Sequence, residues 1–146
     1  MAIVSDIMTR GVFTVKMDDT IRDIRHIFMQ RKFHHVIVVS GGKAVGVISD
    51  RDLLKTISPF IGSMSERPQD LNTLNKKAHQ VMTRDLVFVH ENSRIIDAAR
   101  LMVSCRVSCL PVLTDEGVVR GIVTWRDILT RIVDEDNEAN TSRSAA

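Results

Sequence analysis

The chain has 146 residues, a formal net charge of +2, 44% hydrophobic residues and 4% aromatic residues. The small charge and the scarcity of aromatic rings argue against nucleic-acid binding, which uses basic patches and stacking platforms. No apolar run approaches the roughly 18 residues of a membrane span, and the N-terminus lacks the apolar core of a signal peptide. We therefore expect a cytoplasmic protein that binds neither nucleic acid nor membrane.

The first half of the chain predicts a unit of order β-α-β-β-α. Apolar residues at helical spacing alternate with short β-branched runs, and a Gly-Gly turn joins the last two strands. In chain order we predict a helical opening segment (Ser5–Met8), a strand (Val12–Val15), a helix that Asp19 or Thr20 caps, two strands (Val36–Val39 and Ala44–Ile48) and a helix from Asp50.

The second half repeats the first. Ile7-Met8-Thr9-Arg10 returns as Val81-Met82-Thr83-Arg84, and the register holds over nearly fifty residues with one insertion near Arg120. The repeat predicts an opening segment (Lys77–Met82), a strand (Leu86–Val89), a helix behind Ser93, strands over Leu110–Leu113 and Val118–Val123, and a helix from Trp125.

The duplication predicts the fold class and the domain organisation. A three-stranded unit of about 50 residues cannot bury both faces of its sheet alone. We therefore predict an α+β fold in which two β-α-β-β-α repeats pack sheet to sheet with pseudo-two-fold symmetry. The predicted boundaries are repeat one at 1–57, a linker at 58–76, repeat two at 77–133 and a disordered polar tail at 134–146.

One motif with chemical content occurs in both repeats, where a strand leads into the final helix. Gly46-Val47-Ile48-Ser49-Asp50-Arg51-Asp52 in the first repeat corresponds to Gly121-Ile122-Val123-Thr124-Trp125-Arg126-Asp127 in the second. A capping box explains the hydroxyl residue and the acid three positions later. It does not explain the glycine or the arginine, and a helix start with a free carboxylate also suits a phosphate and a ribose.

This pattern, in a repeat that opens with Met-Thr, resembles the cystathionine-β-synthase (CBS) domain. Arg106–Val112 is also similar to the family's segment before its second strand, and the resemblance covers about residues 3–133 apart from the linker. It implies a regulatory module and not an enzyme, with no cofactor. It further implies a homodimer that binds an adenine nucleotide (AMP, ADP or ATP) between the repeats and signals to a protein target that the sequence does not identify.

The resemblance also implies two sets of ligand-binding residues. In one cleft Asp52 would hold the ribose, Ser49 and Arg51 the α-phosphate, and His34 or His35 further phosphate. Phe33 would belong to the same cleft, to which the second repeat would contribute Ser93, Ala98, Val107 and Ser108. The other cleft would use Thr124, Arg126, Asp127, Ser108 and Cys109 with Thr20, Ile24, Phe33 and His34, and it lacks comparable charge.

Three alternatives remain open at this stage. The chain could be a structural dimerisation module with degenerate clefts, or a sensor of S-adenosylmethionine or a dinucleotide. An enzyme is disfavoured, because the sequence has no recognisable nucleophile, general base or metal set. The pair His34-His35 could also be a solvent-facing strand entrance. Cys105 and Cys109 lack the neighbouring ligands of a zinc site and are expected to be structural thiols.

Overall fold

The computed structural model describes residues 2–145 and confirms the predicted mixed α+β fold. The described chain forms two compact units. The central unit comprises residues 12–86, and the terminal unit combines residues 2–11 with residues 87–145. Met1, the first residue of the predicted first repeat, and Ala146, the last residue of the predicted tail, lie outside the described residues.

The central unit contains a three-stranded sheet in the order β1-β2-β3. Its strands are β1 (Thr14–Lys16), β2 (His35–Ser40) and β3 (Lys43–Ser49). Helix α1 (Ile21–Gln30) connects the parallel strands β1 and β2, and helix α2 (Asp50–Thr56) follows β3. Gly41 and Gly42 have φ angles of 58° and 77°, which the tight turn between the antiparallel strands β2 and β3 requires.

Helix α1 forms where the apolar periodicity predicts it. The Thr20 hydroxyl caps it by accepting a hydrogen bond from the Asp23 amide at 3.2 Å, as expected for a threonine at this position. Its apolar stripe packs against the sheet in one cluster of buried residues: Val15, Ile21, Ile24, Val36, Val38, Ile48, Leu53, Leu74, Ala78 and Met82.

The opening segment of each repeat completes the sheet of the other repeat. Thr83, which follows helix α4 (Ala78–Val81), exchanges two backbone hydrogen bonds with Val47 of β3, at 3.1 and 2.9 Å. In the terminal unit Thr9 makes the equivalent pair with Ile122, both at 2.9 Å. The two repeats therefore exchange their opening segments. Each compact unit contains the opening segment of the other repeat, whereas the predicted boundaries follow the repeats along the sequence.

The terminal unit has the two-stranded sheet β4 (Cys109–Leu113) and β5 (Val119–Thr124), with helix α5 (Ile95–Cys105). The prediction of a strand over Leu86–Val89 is wrong, because only an isolated bridge joins Val89 to Val112. The cause lies at Pro111. Its counterpart in the first repeat, Ile37, donates its amide to Phe13, whereas proline has no N–H to extend the ladder.

The predicted cap of the second repeat's first helix also differs from the structure. Helix α5 has Arg94 as its N-cap residue, with no hydrogen bond from that side chain to the helix end. The Ser93 hydroxyl instead accepts from the His90 amide at 3.0 Å, so it stabilises the preceding turn.

The predicted linker is an ordered part of the central unit. It contains helix α3 (Pro68–Asn72) and a 3₁₀ turn (Thr73–Asn75), which brings Leu74 into the core. The Ser58 hydroxyl donates to the buried Asp70 carboxylate at 2.8 Å, and the Ser58 amide donates to Thr73 Oγ1 at 3.1 Å. These bonds tie the two ends of the segment together.

The prediction of a disordered tail is wrong for residues 134–144, because helix α6 spans Trp125–Ser144. No glycine or proline follows Trp125 in the sequence, and contacts between residues four apart support the helix. Arg131 pairs with Glu135 at 2.9 Å, and Asn140 donates to Asp136 at 3.1 Å. No helix within residues 2–145 is both long and apolar enough to cross a membrane.

The glycines of the repeated motif, Gly46 and Gly121, lie in close contact with the opening segments, where Met82 and Met8 pack against them. A Cβ atom on Gly46 would lie 2.8 and 2.9 Å from Cγ and Cβ of Met82, and one on Gly121 would lie 2.7 Å from the backbone oxygen of Thr9. These distances are shorter than van der Waals contact. The opening segments therefore occupy the space beside each glycine, which explains the glycine that the capping box leaves unexplained.

We predict that Gly121→Ala lowers the free energy of unfolding by about 1–3 kcal/mol, the usual range for an overpacked core. The control is Gly11→Ala, because a Cβ at Gly11 meets no atom within 4 Å. Urea denaturation of both variants measures the difference. Equal stability of the two variants would contradict this account of the glycine.

Candidate functional site

The turn from β3 into α2 is closed by a reciprocal pair of hydrogen bonds. The Ser49 hydroxyl accepts from the Asp52 amide at 3.1 Å, and Asp52 Oδ2 accepts from the Ser49 amide at 2.9 Å. The second carboxylate oxygen, Oδ1, makes no hydrogen bond to any of the described residues. Asp52 is half-buried, so the cap fixes its orientation and leaves one acceptor oxygen uncommitted.

The turn from β5 into α6 has the same construction. Thr124 Oγ1 accepts from the Asp127 amide at 3.3 Å, and Asp127 Oδ2 accepts from the Thr124 amide at 2.8 Å. The Thr124 hydroxyl also lies 3.1 Å from Asp127 Oδ2. Both capping boxes predicted from the sequence are therefore present.

Two histidines stand beside the first of these turns. The Asp50 amide donates to the His34 carbonyl oxygen at 2.9 Å, and His34 Nδ1 lies 2.9 Å from Asp50 Oδ2. His35 is paired with Ser49 across the β2–β3 ladder. The hairpin register thus places both imidazoles next to the start of α2, and of the two only His34 matches the alternative of a solvent-exposed strand entrance.

Burial and neighbouring groups shift the pKa values of His35 and Asp50. Burial lowers the pKa of His35 below its ordinary value, and the neighbouring His34 adds to this, whereas Asp50 and Asp52 oppose it. Partial burial tends to raise the pKa of Asp50. The hydrogen bonds from His34 and from the Arg51 amide, and the positive charge that either histidine carries when it is protonated, outweigh that effect and lower the pKa of Asp50. Without a ligand, His35 is therefore neutral at pH 7 beside an ionised Asp50.

The corresponding place in the terminal unit carries no imidazole. The Trp125 amide donates to the carbonyl oxygen of the exposed Ser108 at 3.0 Å. Cys109 is buried and pairs with Thr124 across the β4–β5 ladder. Arg126 is exposed, with its guanidinium carbon 5.9 Å from the centre of the Trp125 ring. The two turns therefore have the same capping hydrogen bonds, but only the first has histidines beside it.

Most of the other predicted site residues pack in the hydrophobic cores or cap a helix. Ile24 and Ala98 have no exposed surface and pack in the cores of their own units. Val107 packs against the terminal core, and the Phe33 ring lies 6.0 Å from that of Phe13. Thr20 caps α1. Ala98 thus offers no exposed surface to an adenine ring.

Sequence reasoning missed the pair formed by His34 and Asp50. The sequence predicts Asp50 only as the first residue of a helix. The register of the predicted hairpin could have revealed the contact, because antiparallel pairing brings the residues before β2 opposite those after β3.

We predict that His35→Gln reduces the loss of stability on acidification. Because the folded state lowers the pKa of His35, the unfolded chain takes up a proton more readily, and stability falls as the pH drops below about 6.5. Glutamine does not titrate. Urea denaturation at about pH 7.5 and about pH 5.5 should show a smaller decrease for the variant. His26→Gln on the exposed face of α1 is the control, and equal decreases in wild type and His35→Gln would refute the prediction.

Comparison with known proteins identifies the repeats. The family model of the CBS domain matches residues 4–59 and 78–134. Protein MJ1426 of Methanocaldococcus jannaschii is 30% identical over 90% of this chain and 91% of its own length. A CBS domain-containing protein of Dictyostelium discoideum is 32% identical over 90% and 91%. Other relatives are longer: the chain spans 21% of a homoserine O-acetyltransferase of Methanosarcina acetivorans, at 30% identity.

Solved structures agree in fold. The CBS domain pair of protein MJ0100, solved with 5′-methylthioadenosine and S-adenosyl-L-methionine, has a TM-score of 0.77 at 26% identity and covers 92% of this chain and 98% of its own. CBSX2 in complex with AMP has a TM-score of 0.77 at 24% identity, with coverages of 93% and 99%. From the family match to both repeats, the chain belongs to the CBS-domain family and contains two CBS domains in tandem.

Proposed function

We propose that this chain is a regulatory module that binds an adenine nucleotide, AMP, ADP or ATP, and signals its presence to a partner protein. The observation that carries the proposal is the oriented carboxylate at the start of each final helix, Asp52 and Asp127, with one oxygen in the cap and one uncommitted. A carboxylate oxygen in this position accepts hydrogen bonds from ribose hydroxyls. The adenosine moiety common to the ligands of MJ0100 and CBSX2 supports the same class of ligand.

The residues around Asp52 suggest the place of the phosphate. Arg51 is exposed in the first turn of α2, and Ser49 ends the adjacent strand. His34 and His35 add imidazole N–H groups on the neighbouring strand. We assign the ribose to Asp52, the first phosphate to Ser49 and Arg51, and further phosphate to the histidines.

The terminal unit favours a ligand of lower negative charge. Thr124, Arg126 and Asp127 repeat the arrangement, but Ser108 and Cys109 replace the two histidines. An adenosine derivative without a phosphate chain, such as S-adenosylmethionine, suits this second turn better than ATP. The described residues contain no group of three or more His, Cys, Asp or Glu side chains that could hold a metal ion.

We further propose that the chain self-associates. Several large apolar side chains on the final helices of the two repeats are 49–77% exposed, among them Leu54, Trp125, Leu129, Ile132 and Val133. Exposed apolar clusters of this kind mark protein interfaces.

We predict that Asp52→Asn weakens AMP binding at least tenfold, equivalent to about 1.4 kcal/mol. Asparagine keeps an oxygen for the Ser49 amide and loses the charge that strengthens the ribose bonds, so it separates binding from helix capping. Calorimetric titration with AMP measures the effect, and Asp115→Asn in the exposed turn between β4 and β5, which has no assigned ligand role, is the control and should bind AMP as the wild type does. An unchanged affinity in folded Asp52→Asn would remove Asp52 from the ligand site.

We predict that AMP affinity falls as the pH rises from about 6 to about 8. Burial keeps His35 neutral without ligand, and a nearby phosphate favours the protonated form, so binding takes up a proton. The double variant His34→Gln/His35→Gln should show a flatter profile, and adenosine should show little slope with either protein. The phosphate itself titrates near pH 6, which makes the wild-type and variant difference the decisive quantity. Identical slopes would mean that the histidines do not contact the phosphate.

A further inference from the structure

The segment between the two repeats is a closed surface loop, which we call the linker loop (residues 58–73). Its ends are joined by the hydrogen bonds from Ser58 to Thr73 and to Asp70. The Asp70 carboxylate also accepts from the Arg67 amide at 2.7 Å, so both of its oxygens are used inside the loop. Loops of this length with joined ends are compact and frequently functional.

The tip of the linker loop has an ordered backbone, and two of its apolar side chains are exposed. The Ser63 hydroxyl donates to the Phe60 carbonyl oxygen at 2.6 Å. The Gly62 amide donates to Glu66 Oε1 at 2.9 Å, which engages that carboxylate within the loop. Phe60 is 52% exposed, and Met64 is fully exposed. A fixed backbone thus holds apolar surface in water, which is typical of a surface that binds a partner.

A groove of about 290 Å³ lies beside this tip. Phe60 supplies its aromatic lining, and the rest of the lining comes from Ser65, Arg67, Gln69 and Asp70. Small-molecule sites usually measure about 300–1,000 Å³, so this groove accommodates a single large side chain better than a nucleotide. Every lining residue belongs to the linker loop, and the groove therefore lies within the central unit.

The charged groups that line the groove favour an anionic occupant. The exposed Arg67 guanidinium forms no ion pair with any residue in the described range 2–145. The Asp70 carboxylate, by contrast, is buried and accepts from donors of the loop itself. A ligand in the groove therefore meets an uncommitted guanidinium beside an aromatic ring. Aromatic residues, methionine and arginine are enriched at protein interfaces, and an arginine fork can bind a carboxylate through two parallel hydrogen bonds.

Helix α2 connects the linker loop to the candidate nucleotide site. The helix has seven residues, from Asp50 to Thr56, and Ser58 follows two positions later. Seven residues of α-helix span about 10 Å. The Thr56 hydroxyl donates to the Asp52 carbonyl oxygen at 3.0 Å, so the last turn of the helix is bonded to a proposed ligand residue. The final helix of the second repeat instead continues to Ser144, and the loop therefore distinguishes the two repeats.

We propose that the groove of the linker loop is the docking site for an acidic peptide segment of the partner protein. A large apolar side chain of that segment packs on Phe60, and a neighbouring carboxylate of the same segment pairs with Arg67. The ordered loop lowers the entropic cost of binding, because its backbone is fixed before the peptide arrives. This inference rests on the proposed role of the chain as a module that signals to a partner, and it assigns the docking surface and the chemistry of that partner.

Selection from a phage-displayed library of short random peptides tests the occupant of the groove. The wild-type chain should enrich peptides in which an acidic residue stands next to a large apolar residue. In fluorescence anisotropy with a selected synthetic peptide, Arg67→Glu and Phe60→Ser should each weaken binding at least tenfold. Lys43→Glu at the start of β3 and Val103→Ser on α5 make comparable changes at exposed positions outside the loop and should leave the affinity unchanged.

Three results would overturn the proposal. The first is a selection that enriches no peptide, or only peptides without acidic residues. The second is a selected acidic peptide that binds Arg67→Glu and Phe60→Ser as tightly as the wild type, because it then binds elsewhere. The third is weaker self-association of both variants in sedimentation equilibrium without any peptide binding, which would identify a second copy as the occupant.

Titration of the same samples with AMP tests the nucleotide proposal separately, because neither Phe60 nor Arg67 belongs to the assigned ligand site. Unchanged AMP affinity in both variants, together with lost peptide binding, is the result expected if both proposals hold. Intact AMP binding by a wild-type chain that selects no peptide refutes the docking site alone. Peptide binding by a wild-type chain that does not bind AMP refutes the nucleotide proposal alone.

Discussion

The reciprocal hydrogen bonds between Ser49 and Asp52 determine the geometry on which the candidate site depends. They stop β3, start α2 and orient the Asp52 carboxylate in one step. They also fix the chain direction that lets the Asp50 amide reach the His34 carbonyl. A capping box usually contributes to helix stability alone. Here the same bonds also leave one Asp52 carboxylate oxygen uncommitted at a helix start that follows the strand residue paired with His35, so a structural cap and a ligand site are compatible uses of the same residues.

Exchange of the opening segments links the two repeats in a second way. Thr83 completes the sheet of the first repeat, and Thr9 completes that of the second. Each segment also seats a methionine, Met82 or Met8, over a glycine of the strand it joins. An unpaired sheet edge would remain if either segment were absent. Folding of each compact unit therefore requires residues from both repeats, which is consistent with the occurrence of the two CBS domains as a tandem.

The sequence predicted those features that depend on local chemistry. Helical spacing located α1, the Gly-Gly turn located the first hairpin, and the hydroxyl-to-acid spacing located both capping boxes. It failed where partners distant along the chain decide the structure. The lost strand at Leu86–Val89 reflects the missing amide of Pro111 on a neighbouring strand, and the contact of His34 with Asp50 depends on hairpin register. The polarity of residues 134–144 predicts disorder, but this stretch contains no glycine or proline and is helical in the structure.

The turn around Ser49 and Asp52 is the proposed binding site of the nucleotide. The most direct measurement is an amide ¹H–¹⁵N correlation spectrum of the labelled chain during titration with AMP. The account predicts saturable shifts that are largest for the amides of His34, His35 and residues 49–52. Binding of AMP that leaves those amides unchanged, or the absence of any saturable shift at millimolar AMP, would contradict it.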